Sequence, residues 1–290
     1  MNEPIPINEI PLLPRRRFDS HKGSFGKVLI AAGSHGMAGA AVLCGRAALR
    51  SGAGLVQVAT PSCVQAIVAA GNPCYTTFAL HQNVDGTLAD SAAADLVAWA
   101  LSADAVAIGP GLGQGNDVKP FVRRVLAELQ KMPMVVDADA LNALAPFTHE
   151  FKNRSHPLVL TPHPGEFARL TGRSMEEVRT HREELAHDFA AKFGVVLLLK
   201  GAGTVVADGT RLYRNSTGNP GMATGGSGDV LTGAIVALLG QGLSPFEAAV
   251  LGAWVHGRAG DRASAALGEI GMTAADIVEQ LPQAFRESQP

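Results

Sequence analysis

Excess charge of either sign is missing from this sequence: 24 Lys and Arg stand against 26 Asp and Glu, for a formal net charge of -2. A chain so balanced lacks the electrostatic footprint that nucleic acid demands. Cysteine is scarce too. Cys44, Cys63 and Cys74 show no paired metal spacing and leave an odd thiol, which fits a reducing cytosol better than a disulfide scaffold. Gly and Asp interrupt every apolar run before it reaches membrane-spanning length, and Met1 to Pro14 has no apolar core of the kind a signal peptide carries. The expectation is a cytoplasmic protein with no membrane segment and no nucleic-acid partner. Linker-like stretches, repeats and low-complexity tracts are also absent, and 47% hydrophobic against 17% charged residues suits a folded core. Residues 21–290 therefore read as a single domain. Residues 1–20 read as an arm, whose prolines at 4, 6, 11 and 14 prevent a long helix.

What is present is a rhythm. Lys27 to Ala32 is a short apolar strand, followed by a glycine-rich turn and an alanine-rich helix to about Arg50, the opening of a βαβ unit. Strands follow at Gly54–Ala59, Tyr75–Leu80, Ala105–Ile108, Met134–Val136, Leu158–Leu160 and Val195–Leu199. Between them lie helices at Cys63–Ala70, Asp90–Leu101, Val118–Lys131 and Met175–Phe193. Asp208-Gly209 between Thr204–Ala207 and Arg211–Tyr213 is a hairpin signal. Helices to about Gly240, from Pro245 to Ala266 and near Thr273–Leu281 close the chain. The fold class predicted is α/β: a doubly wound, mostly parallel central sheet with helices on both faces and a short antiparallel edge.

Glycine-rich or polar segments at 33–40, 109–113, 137–142, 161–166 and 200–204 all follow predicted strands. In a parallel sheet they converge on the carboxyl edge, where ligands bind, although any one of them is also what an ordinary βα loop contains. The first turn's glycines at 33, 36 and 39 do not fit a dinucleotide fingerprint, and neither a Walker lysine motif nor G-x-S-x-G occurs. A further loop, Asn215 to Gly228, runs into an apolar helix with Asp229 at the joint. The first amides of a helix have no intrahelical acceptor and favour an anion, so Gly225, Gly226, Ser227 and Gly228 form a candidate anion hole. Asp229 suits a base that orients a hydroxyl towards a phosphate held there, with no need of a raised pKa; its bland alternative is a helix-start residue favoured by the dipole. Lys200 suits contact with nucleotide phosphate or ribose, or is a solvated charge. His163 either hydrogen-bonds a ligand or is a turn histidine, and Glu166 either reaches metal-bound water or caps the following helix. His256 reads as packing.

Thr224-Gly-Gly-Ser-Gly-Asp229, with Asn219-Pro-Gly221 upstream, resembles the ribokinase-like superfamily. Lys22-Gly-Ser-Phe-Gly-Lys27, Arg50-Ser-Gly-Ala-Gly54, Gly109-Pro-Gly-Leu-Gly113, Asp137-Ala-Asp-Ala-Leu-Asn142, Thr161-Pro-His-Pro-Gly-Glu166 and Lys200-Gly-Ala-Gly-Thr204 resemble, in order, the motifs of the ADP-dependent NAD(P)H-hydrate dehydratases. The resemblance implies a lyase that restores NADH or NADPH from the hydrate of its nicotinamide ring, acting on the S epimer at the expense of ADP, with ATP as the eukaryotic donor. It implies that Ala40, Gly113, His163 and Asp229 meet the hydrated dinucleotide. It assigns Lys200, Gly201, Ala202, Gly203, Thr204 and Gly228 to the adenine nucleotide, with Mg²⁺ bridging phosphates and no protein ligand set evident. A homotetramer is implied, as is an NAD(P)H-hydrate epimerase acting as a separate chain, since the length leaves room for the dehydratase domain only. The competing readings are a ribokinase-like kinase of a small vitamin precursor and a nucleotide-sensing module without turnover.

Overall fold

The computed structural model describes residues 3–152 and 154–289. In chain order the elements are β1 (Ile5–Ile7), β2 (Lys27–Ala31), α1 (Ala38–Arg50), β3 (Leu55–Pro61), α2 (Ser62–Gly71), β4 (Thr76–Leu80), α3 (Ala92–Ala100) and β5 (Ala105–Ile108). They continue with α4 (Val118–Glu128), β6 (Met134–Val136), α5 (Ala138–Leu144), β7 (Val159–Leu160), α6 (Pro164–Thr171), α7 (Met175–Thr180), α8 (Arg182–Phe193) and β8 (Val196–Leu199). The hairpin β9 (Val205–Ala207) and β10 (Arg211–Arg214) precedes α9 (Ser227–Gly240), α10 (Pro245–Leu267) and α11 (Ala274–Glu287).

The central strands β5 to β9 are apolar on both faces because both faces are covered. Val28 and Ile30 of β2 point into one core, shared with α1, α9, α10 and α11, while Leu29 and Ala31 point into the other, shared with α3 to α8. Period-two alternation splits β8 the same way, Leu198 to the first core and Leu197 and Leu199 to the second. The sheet has ten strands in the order β1-β10-β9-β8-β7-β6-β5-β2-β3-β4. Pairing is parallel from β4 to β8 and antiparallel for β8 with β9 and β9 with β10. β2 lies between β5 and β3, so the winding direction reverses there and a crevice opens at the carboxyl ends of β2 and β5.

Several elements differ from the sequence reading, among them α5, a helix where residues 137–142 read as a strand-end segment. The arm contributes β1, parallel to β10 with Ile5 N–H donating to Thr210 O at 2.8 Å; an edge position tolerates Pro6, which has no amide to donate. The helix predicted over Met175–Phe193 is two helices broken at His181, where the Thr180 hydroxyl donates back to Glu176 O at 2.9 Å and diverts the backbone. The last helix runs past Leu281, through Pro282 to Glu287, because Leu281 and Ala284 pack into the core and Glu287 pairs with Arg258 and Arg262 of α10.

Candidate active site

Five strand-end loops meet, and hydrogen bonds stitch each to the next. Gly33 N–H donates to Pro110 O at 2.8 Å, the Ser34 hydroxyl to Gly111 O at 2.9 Å, and Gly113 N–H to Asp139 Oδ2 at 2.8 Å. Lys200 Nζ donates to Asp137 Oδ1 at 2.8 Å, and Lys200 N–H donates to Pro162 O at 2.9 Å. Gly109 is required for this closeness: at φ 133° a Cβ would stand 1.8 Å from Asp137 O. Between the two carboxylates, Ala138 holds φ 50°, a left-handed conformation that costs free energy at a non-glycine residue and persists because both neighbours are pinned.

α9 is buried along nearly its whole length, packed against α1, α10 and α11 on one side and β2, β5 and β6 on the other. Its first turn faces the crevice. Gly226 precedes the helix at φ 88° and no side chain caps the first amides; Ser227 N–H donates to Thr224 O at 3.4 Å, while those of Gly228 and Asp229 have no partner among the described residues and, with the dipole, are turned to the crevice. Asp229 sits in the first turn of α9, where the dipole favours a carboxylate as its bland alternative has it, yet it forms no hydrogen bond to any described residue. Burial is the main force on its carboxyl, raising it from 3.8 to about 7; Asp137 and Asp139 add to the rise and Lys200 opposes it. The sequence reading required no such shift.

Two cavities flank this turn. The larger, about 690 Å³, includes Lys200 to Thr204, Asn219, Ser227, Gly228 and His256 in its lining. The smaller, about 370 Å³, is lined by Gly36, Met37, Gly39, Ala40, Leu43, Gly111, Asp139, Gly225, Gly226 and Asp229.

Beneath the turn is a buried polar network. Asp137 is 1% exposed; Oδ1 accepts from Lys200, and Oδ2 accepts from the Thr232 hydroxyl at 2.7 Å. Burial alone would depress the Lys200 ammonium, but Asp137, Glu166 and Asp229 hold it above its ordinary value. It is thus a paired charge, not a solvated one. His163 and Glu166 realise their structural alternatives. His163 Nδ1 accepts from Gly165 N–H at 3.0 Å and Glu166 N–H at 3.2 Å, while Glu166 Oε2 accepts from His163 N–H at 2.8 Å, a reciprocal cap on α6. Those bonds leave the proton of the neutral ring on Nε2, 3.4 Å from Glu166 Oε1. Burial, with Lys200 and Arg169 nearby, lowers the His163 pKa.

A family model described as NAD(P)H-hydrate dehydratase matches residues 28–283. The chain belongs to the NAD(P)H-hydrate dehydratase family. It is 48% identical over 276 residues to a bifunctional NAD(P)H-hydrate repair enzyme, Nnr, of Moorella thermoacetica, covering 94% of this chain and 52% of that one. The chain spans about half the length of most of the curated relatives it matches. With the ADP-dependent (S)-NAD(P)H-hydrate dehydratase of Neisseria meningitidis serogroup B it shares 40% identity over 249 residues, 85% of this chain and 80% of the other. Among solved structures, the ADP/ATP-dependent NAD(P)H-hydrate dehydratase of Bacillus subtilis, co-crystallised with ATP and Mg²⁺, superposes with a TM-score of 0.82 at 34% identity, covering 96% of this chain and 95% of that one. The architecture is ribokinase-like.

The candidate anion hole and the residues that resemblance to the NAD(P)H-hydrate dehydratases singles out divide between the cavities, and His163, expected at the dinucleotide with Ala40 and Asp229, falls on the side of Lys200 instead. Lys200 to Thr204, Gly228, Ser227 and His163 line the larger; Ala40, Gly225, Gly226 and Asp229 line the smaller. Gly113 lines neither, its amide being committed to Asp139. Two contributors had escaped the sequence reading. His256 is 9% exposed, with Nε2 3.3 Å from the Ser227 hydroxyl, and burial lowers it to about 4, so the ring is neutral. Arg182 donates to Ala202 O at 2.7 Å, Leu199 O at 3.1 Å and Lys200 O at 3.2 Å, fixing the loop after β8. Neither carries a local signal: each becomes legible only once the helix that bears it is placed against a loop distant in sequence.

Proposed function

We propose that this chain dehydrates the S epimer of hydrated NADH and NADPH, with ADP as phosphoryl donor. The observation that carries the reading is the placement of Asp229 and Gly228 at one helix start but on opposite cavities, a carboxylate towards one ligand and helix amides towards the other. The nucleotide occupies the larger cavity, its terminal phosphate at the first amides of α9 beside Lys200. The hydrate occupies the smaller, its C6 hydroxyl at Asp229. Asp229 accepts the hydroxyl proton as the oxygen attacks the terminal phosphorus, and AMP leaves. The ring nitrogen lone pair then expels phosphate from C6, and loss of the C5 proton restores the dihydronicotinamide.

Lys200 is balanced against Asp137, with Glu166 at 3.9 Å and Asp229 also near, so this end of the site has little positive charge to spare for a polyphosphate. That deficit supports Mg²⁺. Among the described residues no group of three metal-binding side chains exists, so the ion fits as one held by phosphates and water. The ion would neutralise phosphate charge.

The reading places the protein in the cytoplasm, with an NAD(P)H-hydrate epimerase as its functional partner. No described helix is long and apolar enough to cross a membrane. A homotetramer is part of the reading, supported by the exposed Ile5, Leu12 and Phe18 of the N-terminal stretch, apolar surface of the kind assembly covers. The test of function is incubation with hydrated NADH and ADP. Free phosphate with recovered absorbance of the reduced ring is expected. A stable phosphoester would instead indicate a vitamin-precursor kinase, and binding without turnover a sensor.

A further inference from the structure

The segment Asp137 to Asp139 touches three walls of the site at once. Asp139 holds the loop after β5 through Gly113, while Asp137 holds the end of β8 through Lys200 and the body of α9 through Thr232. Asp137 N–H donates to Ile108 O at 3.1 Å, and its carbonyl fills the space left by Gly109. Stability does not account for such a carboxylate, because a buried ion pair is on average no better than apolar side chains of the same size. Position does. A Cβ built on Gly228 would lie 3.2 Å from Lys200 Nζ and 3.7 Å from Asp137 Oδ2, so the pair sits directly against the first turn of α9. One ammonium proton is taken by Asp137, leaving the others for an anion at the helix start.

We propose that Asp137 is the positioning residue of this site: by anchoring Lys200 and Thr232 together it fixes the ammonium against the first turn of α9, at the phosphate end of the larger cavity. This rests on the proposed nucleotide site. A flexible lysine without its anchor would spread over many rotamers, and ordering it would then fall on nucleotide binding. Asp137 also bears on the proton acceptor. The charged or titratable groups around Asp229 are Asp137 and Asp139 from the start of α5, Lys200 from the end of β8, and the buried Cys44 thiol of α1.

The test uses the full chain and its Asp137→Asn, Lys200→Met and doubly substituted variants, measuring ADP affinity by calorimetry and kcat/KM for hydrated NADH as a function of pH. Asp137→Asn should weaken ADP binding about tenfold or more, and the double variant should be little worse than either single one, since both lose the same placed ammonium. The acidic limb of kcat/KM should move below its wild-type position when the Asp137 charge is removed, which a purely structural role would not produce. Wild-type ADP affinity in a folded Asp137→Asn protein, additive losses in the cycle, or an unmoved limb would each overturn the proposal. Should Asp137→Asn not fold, the uncharged double variant carries the affinity test, and wild-type affinity there overturns it equally. If the wild-type protein itself neither binds ADP nor turns over, the proposed function fails first and this inference with it.

Discussion

Gly228 and Asp229 are consecutive residues of one helical turn that line different cavities, Gly228 the one with Lys200 and Asp229 the one with Ala40 and Asp139. Under the proposed function the peptide between them lies where phosphate and hydroxyl meet.

Asp229→Asn should abolish turnover, by a factor on the order of 10² or more, because the amide cannot accept the hydroxyl proton. The same change should stabilise the fold at alkaline pH. The native carboxyl keeps its proton up to about 7, while the unfolded one loses it near 3.8. Its stabilising contribution is therefore full below the unfolded value and disappears as pH rises through about 7. Asparagine carries no such penalty, and a gain of roughly 1–3 kcal/mol above neutrality is expected, allowing for water in the cavity. Thermal melts at acid and alkaline pH check this; equal melting of the two proteins across that range contradicts a buried, perturbed carboxyl.

The rate should rise with pH through about 7, the pH at which Asp229 becomes ionised and able to act as base. His163 and His256 are both shifted down, so neither supplies a competing limb above neutrality. A profile of kcat/KM flat across neutrality would remove Asp229 from the role of base.

Gly228→Ala places a methyl 3.2 Å from Lys200 Nζ, and the ammonium must give way. The expected result is a KM for ADP raised about tenfold, on the scale of a displaced charge-assisted hydrogen bond, with a smaller effect on hydrated NADH. Steady-state kinetics with each substrate varied would reveal the asymmetry; equal losses for both would argue against separate cavities.

Arg182→Met removes three hydrogen bonds to the carbonyls of residues 199, 200 and 202. Weaker nucleotide binding with kcat largely kept is expected, and a drop in kcat alone would count against this role. His256→Ala should mimic Ser227→Ala, the double variant adding little, if the ring acts through that hydroxyl.

Much of the architecture could be read from the chain because its signals are local. Apolar runs such as Ala105 to Ile108 mark buried strands, Asp208-Gly209 marks the hairpin, and each strand-end loop declares itself by glycine or aspartate. What stayed hidden depends on distance in sequence. The raised carboxyl of Asp229 comes from burial and from Asp137 and Asp139, the Lys200 pairing bridges a separation of 63 residues, and the Ser227–His256 contact one of 29. β1 was masked by its proline, and the break at His181 by a helical pattern continuous on either side. Lys22-Gly-Ser-Phe-Gly-Lys27 and Arg50-Ser-Gly-Ala-Gly54, though part of the family pattern, pack against each other: Gly54 N–H donates to Phe25 O at 3.1 Å, and a Cβ on Gly54 would meet Lys22 O at 1.7 Å.

The partition at residues 225 to 229 also bears on kinetic order. The two cavities share no lining residue, so under the proposed function a nucleotide in one would leave the other free to fill or empty. Such a catalyst needs no compulsory sequence of arrival. Initial-rate plots should intersect, and AMP should compete with ADP alone.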